Sequence, residues 1–165
     1  MKKVAVVMGS ASDLPLAKDA LRILAEFGVS YGARVLSAHR TPETAAAFAK
    51  SAEADGYGVI LAFAGKAAHL AGAMAANSLL PVVGVPVSGR DLGGLDALLS
   101  TAQMPKGVPV AAVAIDGAAN AALLAIRILA LSDEALQEKL KDYARTLAEQ
   151  SAEADAALQK EIETL

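Results

Sequence analysis

A histidine beside an arginine, His39 and Arg40, is the pair of residues in this sequence best suited to chemistry. The apolar run at residues 31–36 precedes the pair and is typical of a β-strand. A helical run follows the pair, with Thr41 as its predicted N-cap and Pro42 at its first position. The pair is therefore predicted to lie where a strand ends and a helix begins. Open α/β sheets bind their ligands at that edge.

The start of a helix also sets the electrostatics of this pair. A cation there is disfavoured by about 0.3–1 kcal/mol unless an anion joins it, so we expect Arg40 to bind a phosphate or a carboxylate. The same field favours the neutral imidazole of His39, which suits a proton relay near pH 7. The alternative is an exposed pair with no chemical task.

Two more segments lie at predicted strand ends. Residues 8–13 place a glycine and two serines before a helix, a pattern typical of anion binding by N–H groups and hydroxyls. Helix capping by Asp13 is an equally open interpretation. Residues 64–72 are mostly small, which lets a ligand approach the backbone closely, and a helix is predicted from about residue 67 to residue 77. His69 there either contacts a substrate or hydrogen-bonds within a helix interface.

Two features beside these segments have open roles. Lys66 is a second cation at a predicted helix start, which favours an anion or an inter-subunit partner. The glycine-containing segment at residues 88–94 is either a lid or an ordinary surface connection in which Arg90 and Asp91 form a solvated pair.

Short apolar runs alternate with helical runs along the chain, with strands predicted at residues 4–8, 31–36, 59–63, 82–85 and 110–115. This alternation predicts βαβ units, a parallel sheet and right-handed crossovers. We predict an α/β, three-layer αβα fold with a flavodoxin-like five-stranded parallel sheet. No repeat or linker interrupts the sequence, so one domain is expected over residues 1–165, with its core at 1–131.

The final helix is predicted at about residues 133–163, with Asp133 as its cap. One apolar stripe follows it: Leu136, Leu140, Tyr143, Leu147, Ala154, Leu158 and Ile162. Unbroken, it would be ~48 Å long at ~1.5 Å per residue, whereas such a domain has a radius of gyration of only ~15 Å. We expect the helix to extend beyond its subunit and bury its stripe on another copy. A break near residues 150–151 or a frayed tail is the alternative.

Composition excludes several classes of protein. Hydrophobic content of 55% excludes disorder, and a net charge of −3 without a basic run argues against nucleic-acid binding. Without cysteine there is no disulfide, thiolate metal site or thiol nucleophile, and no histidine–carboxylate cluster has metal-ligand spacing. The first residues lead directly into a strand, and no apolar run reaches transmembrane length. We therefore expect no signal peptide, no membrane partner and a soluble cytoplasmic protein.

Taken together and in this order, the motifs closely resemble the PurE family of de novo purine biosynthesis. The resemblance rests on residues 8–13, 37–42, 67–70, 84–87, 103–110 and 118–122, and it covers nearly the whole chain except the final helix. It implies a flavodoxin-like fold and a homo-oligomer, an octamer, whose C-terminal helices reach neighbouring subunits. It also implies no metal and no organic cofactor.

The family has two types. One is a mutase that moves a carboxylate of a ribonucleotide from N5 to C4 of the imidazole, and the other is a carboxylase that adds CO2 directly. The motifs Ser-Ala-His-Arg at residues 37–40 and Ala-Ala-His-Leu at 67–70 are typical of the mutase. Lys66 in place of a usual glycine and Ala71 in place of a usual proline depart from that pattern.

The resemblance also implies roles for individual residues. His39 is expected to transfer the proton. The ribonucleotide is expected to bind Ser10, Asp13 and Arg40, with its phosphate helped by Ser12 and Ser37. The base and the migrating carboxylate, with CO2 as a transient species, are expected to lie beside Gly65, Ala68, His69 and Leu70.

Two other classes of protein remain as hypotheses. A non-enzymatic flavodoxin-like module would be a phosphorylatable receiver or a flavin carrier. A receiver needs an aspartate after the third strand, where this chain has Gly65 and Lys66, and few aromatic residues are available to stack on a flavin. A scaffold would use the last helix for assembly alone, and ligand titration would distinguish it from the enzyme.

Overall fold

The fold is that of a five-stranded parallel sheet between two layers of helices. The structure, a computed structural model, describes residues 2–165. The strands follow the spatial order β2-β1-β3-β4-β5, with bounds β1 Lys3–Met8, β2 Tyr31–Val35, β3 Tyr57–Gly65, β4 Val82–Val87 and β5 Ala111–Ala112. This is the strand order of the flavodoxin-like fold, so the predicted fold class is confirmed.

Six α-helices connect and cover the strands. Their bounds are α1 Leu14–Glu26, α2 Pro42–Ser51, α3 Leu70–Asn77, α4 Leu95–Ala102, α5 Ala118–Ala130 and α6 Glu134–Ile162, and a short 3₁₀ turn, Ala11–Asp13, precedes α1. Helices α1 and α5 pack together on one face of the sheet, and α2 and α3 pack together on the other. Each connection between consecutive strands contains a helix, as parallel strands require.

Side chains of the central strands alternate between two hydrophobic cores. In β1, Val4, Val6 and Met8 join the core beneath α1 and α5, whereas Ala5 and Val7 join the core beneath α2 and α3. Both sets are almost fully buried. This explains why the strands are continuous apolar runs in the sequence, as in other parallel sheets that are covered on both faces.

The fifth strand is shorter than the apolar run at residues 110–115 predicts. Only Ala111 and Ala112 pair with β4. The chain then leaves the strand path, because Asp116 adopts a left-handed backbone with φ of 58° and its N–H bonds to the carbonyl of Pro86 at 2.9 Å. The turn into α5 therefore replaces the last residues of the predicted strand.

Helix α6 is unbroken over 29 residues, or about 44 Å. The Asp133 carboxylate caps its start by accepting the N–H of Leu136 at 3.1 Å, as predicted. Its first turns are anchored: Leu136 is buried, and the ring of Tyr143 meets Phe27 edge-on at 5.6 Å between centroids.

The rest of α6 has no partner within the chain. All side chains from residue 144 onward are exposed, and the stripe residues Leu147, Leu158 and Ile162 are about half exposed, at 49%, 52% and 52%. The alternative of a helix folded back at residues 150–151 is therefore wrong. Although α6 is long, neither it nor any other helix in residues 2–165 combines the length and apolarity needed to cross a membrane.

Gly84 in the middle of β4 is a sensitive test of this packing. A Cβ there would collide with Thr101 of α4 and lie 3.1 Å from Cβ of Ala71, so Gly84→Ala is expected to lower the free energy of unfolding by about 1–3 kcal/mol. Gly89→Ala is the matched control, because a Cβ at Gly89 meets nothing within 4 Å. Urea denaturation of both variants measures the difference, and equal effects would contradict this account of the packing.

Candidate active site

The carboxyl ends of β1 to β4 open into a cavity of about 640 Å³. The strand order reverses direction between β2-β1 and β3-β4-β5, and such a switch point leaves a crevice between the crossover helices. Its walls are formed by Gly9, Ser10, Ser12, Asp13, Ser37, Ala38, His39, Arg40, Ala64, Gly65, Lys66, Ala67, His69, Leu70, Val87, Ser88 and Gly89. The three segments singled out in the sequence therefore meet at one place.

The two histidines of the chain are in direct contact in this cavity. Nε2 of His39 lies 2.8 Å from Nδ1 of His69, and the rings meet edge-on with an interplanar angle of 82°. One of these nitrogens must carry the proton and the other must accept it, so the contact cannot form between two imidazolium ions. Of the two roles left open for His69, the structure places it on the cavity wall beside His39.

The Arg40 guanidinium folds back across the strand ends. Its Nη2 donates to the carbonyl of Gly9 at 2.9 Å, and its Nε donates to Oγ of Ser37 at 3.3 Å. No carboxylate pairs with Arg40 among the described residues. These contacts fix the guanidinium at the cavity wall while leaving its positive charge without a counter-ion.

Thr41 occupies the N-cap position of α2, but its side chain makes no cap hydrogen bond, so the predicted capping role is wrong. Its hydroxyl instead donates to the carbonyl of Ser37 at 3.1 Å and accepts the Ser37 N–H at 3.2 Å. This closes the turn that carries His39 and Arg40. Thr41 thus positions both side chains, although it does not line the cavity.

The glycine–serine segment forms a compact hydroxyl-lined turn. Oγ of Ser10 accepts the hydroxyl of Ser12 at 2.9 Å, and the Asp13 carboxylate accepts the backbone N–H of Ser10 at 3.2 Å. Asp13 makes no side-chain cap on α1 itself, but with Ser10 it closes a capping box on the 3₁₀ turn that leads into that helix. The capping interpretation is therefore confirmed for that turn. The residue is only 8% exposed. Burial raises the pKa of Asp13, and the hydrogen bonds from Ser10 and Ser12 oppose that rise.

The third segment differs from its predicted form in one helix boundary and one residue. Helix α3 starts at Leu70 rather than near residue 67, because Lys66 has a φ of 55° and the following residues form a turn. Within this turn Ala68 is 1% exposed and does not line the cavity, unlike Gly65 and His69. The turn directs the side chain of Ala68 inward instead.

The end of β4 contributes wall residues that were not singled out as binding residues: Val87, Ser88 and Gly89. The N–H of Ser88 donates to the Asp116 carboxylate at 2.8 Å, which ties this end of the 88–94 segment to the start of α5. Their position after a predicted parallel strand was the available signal, because all such ends share one edge of the sheet.

The cavity also has a cross-link at its rim. Nζ of Lys66 lies 3.6 Å from Oδ2 of Asp91, and both side chains are about three-quarters exposed. This contact joins the β3–α3 turn to the 88–94 segment. Arg90 and Asp91 were considered as a solvated pair, but in the structure Asp91 faces Lys66. Among residues 2–165, no group of three or more histidine, cysteine, aspartate or glutamate side chains is placed to hold a metal ion.

Several curated proteins are similar to this chain, and two of them, described first, have the same name. An N5-carboxyaminoimidazole ribonucleotide mutase from Pyrococcus horikoshii is 56% identical over 144 residues, covering 87% of this chain and 81% of that protein. A protein of the same name from Mycobacterium tuberculosis is 50% identical over 158 residues, covering 96% and 91%. A chloroplastic phosphoribosylaminoimidazole carboxylase from Vigna aconitifolia is 52% identical over 83% of this chain but only 25% of its own length.

Structure and family comparisons agree with these relatives. The crystal structure of Treponema denticola PurE superposes with a TM-score of 0.86 at 32% identity, covering 94% of this chain and 97% of that one. The sequence model of the family described as AIR carboxylase matches residues 3–150. The resemblance seen in the motifs is thereby confirmed, and the chain belongs to the AIR carboxylase family.

Proposed function

We propose that this chain is an N5-carboxyaminoimidazole ribonucleotide mutase of purine biosynthesis. It converts the N5-carboxylated ribonucleotide to 4-carboxy-5-aminoimidazole ribonucleotide. The observation that carries the proposal is the placement of the His39–His69 pair in the same cavity as the unpaired Arg40 guanidinium and the serine turn. The names of relatives at 50–56% identity point to the same reaction.

The two sides of the cavity suit the two halves of this substrate. Arg40 with Ser10, Ser12 and Ser37 offers a positive charge and several hydroxyls, which suit the phosphate. The Asp13 carboxylate beside them suits the ribose hydroxyls. The opposite wall, with Gly65, His69 and Leu70, suits the imidazole and the migrating carboxylate. Ala68 is buried as a whole residue, so it supports this wall from behind rather than contacting the substrate.

The chemistry needs one proton delivered and one removed. Protonation at N5 breaks the N–CO2 bond and gives the amine and CO2. The electron-rich C4 then forms a bond to that CO2, and loss of the C4 proton restores the aromatic ring. We assign both proton transfers to His39, which makes the reaction a net isomerisation. No other reactant is consumed.

The contact between the histidines supports this assignment. Since the 2.8 Å contact needs one N–H and one lone pair, the pair can hold a single extra proton and release it again. Such a group can act as a general acid in the first step and as a general base in the second. His69 stabilises His39 in either state by accepting or donating in the same contact.

The small side chains of the cavity serve to retain CO2. Ala38, Ala64 and Ala67 line the same cavity as the two histidines and present only small apolar side chains there. CO2 has no charge to bind, so it is kept near C4 by the walls rather than by a specific contact. We assign the role of a lid over this cavity to the 88–94 segment, and its contact with Lys66 through Asp91 supports this assignment.

We further propose that the chain is one domain, with residues 1–131 as its core, and that it works in the cytoplasm as a homo-oligomer, an octamer. The uncovered stripe on α6 supports the assembly, because exposed leucine and isoleucine along about five turns of helix would otherwise remain in water. A second copy of the chain is the expected partner of this stripe.

Direct carboxylation of aminoimidazole ribonucleotide is the second candidate function. It is favoured by one feature of the chain, Lys66, which stands where the mutase type usually has a glycine and the carboxylase type often a basic residue. The cavity would serve both reactions, since both end in a bond between C4 and CO2. The two differ in whether CO2 comes from N5 or from solution.

Purified protein is expected to interconvert the N5- and C4-carboxylated ribonucleotides without ATP and in the presence of a metal chelator. His39→Asn keeps a hydrogen-bonding side chain of similar size but cannot relay the proton, so turnover should fall by about 10²–10⁴-fold. Product binding, followed by calorimetry, should remain. Near-normal turnover in this variant would show that the proton route is wrong.

The alternative is tested with the same wild-type preparation. Aminoimidazole ribonucleotide plus bicarbonate should turn over more slowly than the N5-carboxylated compound at equal concentration. A preference for the former would reject the mutase and support the carboxylase.

Asp13→Asn should raise the free energy of unfolding at pH 7 while weakening ribonucleotide binding. The raised pKa of Asp13, caused mainly by burial, means that the folded protein binds more protons than the unfolded chain above the ordinary pKa of 3.8. Wild-type stability therefore falls as pH rises through the interval between 3.8 and the folded-state pKa, and the advantage of the variant grows over that interval. Denaturation of the variant and wild type between about pH 3 and about pH 8, a range that includes this interval, measures the difference in their free energies of unfolding.

The matched control is Asp19→Asn, on the exposed side of α1, where the ion pair with Arg22 is worth about 0–1 kcal/mol. A variant at Asp13 that is less stable than wild type at every pH would contradict the account of a buried carboxylate kept for binding.

Leu158→Glu should reduce the mass of the assembly measured by light scattering, because it places a charge within the exposed stripe of α6. Gln159→Glu is the matched control, since it adds the same charge next to the stripe and should leave the mass unchanged. Helical circular dichroism should be the same in both. A wild-type protein that is monomeric, or a Leu158→Glu variant of wild-type mass, would overturn the proposed assembly role.

A further inference from the structure

Lys66 has an unusual backbone for a lysine. Its φ of 55° lies in the left-handed region, where a Cβ is disfavoured and glycine is the ordinary choice. Among the described residues, the only other non-glycine with positive φ is Asp116. Asp116 has a local explanation, because aspartate tolerates this region and its carboxylate holds the N–H of Ser88. No hydrogen bond of that kind accounts for Lys66.

The ion pair with Asp91 does not compensate for this backbone. The two charged atoms are 3.6 Å apart, and the side chains are 78% and 74% exposed. Exposed pairs of this kind contribute little to stability and exchange partners easily. A strained residue that folding does not need is most often found where a ligand needs it. Lys66 meets that description, since it lines the cavity.

The position of Lys66 complements that of Arg40. Arg40 follows β2 and Lys66 follows β3, and β1 lies between these strands. The Arg40 guanidinium is bonded to the Gly9 carbonyl at the end of β1, so the two cations are anchored at neighbouring strands, about 5 Å apart across the sheet. Both residues line the cavity. A ligand with two separated anionic groups would match both, and the proposed substrate has a phosphate at one end and a carboxylate at the other.

We propose that Lys66 is a specificity-determining residue that binds the carboxylate of the substrate, and that Asp91 occupies its ammonium group when the cavity is empty. This inference rests on the proposed function and deepens it. On binding, Lys66 exchanges one carboxylate for another, so its charge is never left unpaired. The exchange also frees Asp91, so that the 88–94 segment can close over the bound substrate. The far end of this segment has two glycines with positive φ, Gly93 and Gly94.

The exchange has a consequence for selectivity. A carboxylated ribonucleotide replaces the contact to Asp91 with its own, whereas the uncarboxylated aminoimidazole ribonucleotide leaves the Lys66–Asp91 pair in place. Lys66 should therefore strengthen binding of the carboxylated compound alone. A residue that merely shapes the turn would affect both ligands equally.

Titration calorimetry of two ribonucleotides against three variants tests this. Lys66→Gly should weaken binding of 4-carboxy-5-aminoimidazole ribonucleotide by about tenfold and change that of aminoimidazole ribonucleotide by less than about twofold. Lys66→Arg, which keeps the charge, should recover most of the loss. Asp91→Asn removes the competing carboxylate and should strengthen binding of the carboxylated compound only. Thermal unfolding of Lys66→Gly should show no loss of stability, because the change relieves the backbone.

The outcomes separate this inference from the proposed function. Equal weakening of both ligands by Lys66→Gly, or no change in either, overturns the role of Lys66 while leaving the mutase intact if wild type still interconverts its substrates. If Lys66→Gly weakens binding of the carboxylated compound alone but wild type does not interconvert its substrates, the role of Lys66 in recognition is supported and the mutase is rejected. A wild-type protein that binds neither compound overturns both.

Discussion

The direction of the central strands is the constraint on which the site depends. Because β1 to β4 are parallel, their carboxyl ends reach the same edge, and the reversal of strand order beside β1 opens a crevice there. Residues that are 30 positions apart, such as His39 and His69, therefore come into contact. The buried strands fix where each turn begins, and the conformation of the turn determines where its side chains lie.

The approximate ends of β1 to β4, the starts of α2 and α6, and the position of His39 and Arg40 at the edge of the sheet were predictable, because each follows from local sequence pattern and parallel topology. The contact between the histidines was not, since it depends on the turn before α3. That turn departs from a helical path at Lys66, which has a left-handed backbone. Because this residue is not a glycine, the sequence does not indicate that conformation. The inward direction of Ala68 has the same cause.

The short fifth strand and the role of Thr41 were mispredicted for a related reason. Apolar periodicity measures burial and does not measure pairing, so the run at residues 110–115 was extended beyond Ala112, where the left-handed Asp116 and its bond to Pro86 redirect the chain. Threonine before proline is typical of a helix cap, but the Thr41 hydroxyl finds both partners on Ser37. In each case a hydrogen bond in the turn takes precedence over the regular element.

The two sides of the cavity differ in how firmly they are held. Around Arg40 and the serine turn, hydrogen bonds of 2.9–3.3 Å connect nearly every polar group to the backbone or to a neighbour. At the other rim, Lys66 and Asp91 share only one long, exposed contact. A substrate whose phosphate stays still while its carboxylate moves needs this asymmetry, because a fixed site orients the ring and an exchangeable one accommodates the group in transit. The firmly held anion-binding turns and the loosely held opposite rim therefore serve the same reaction.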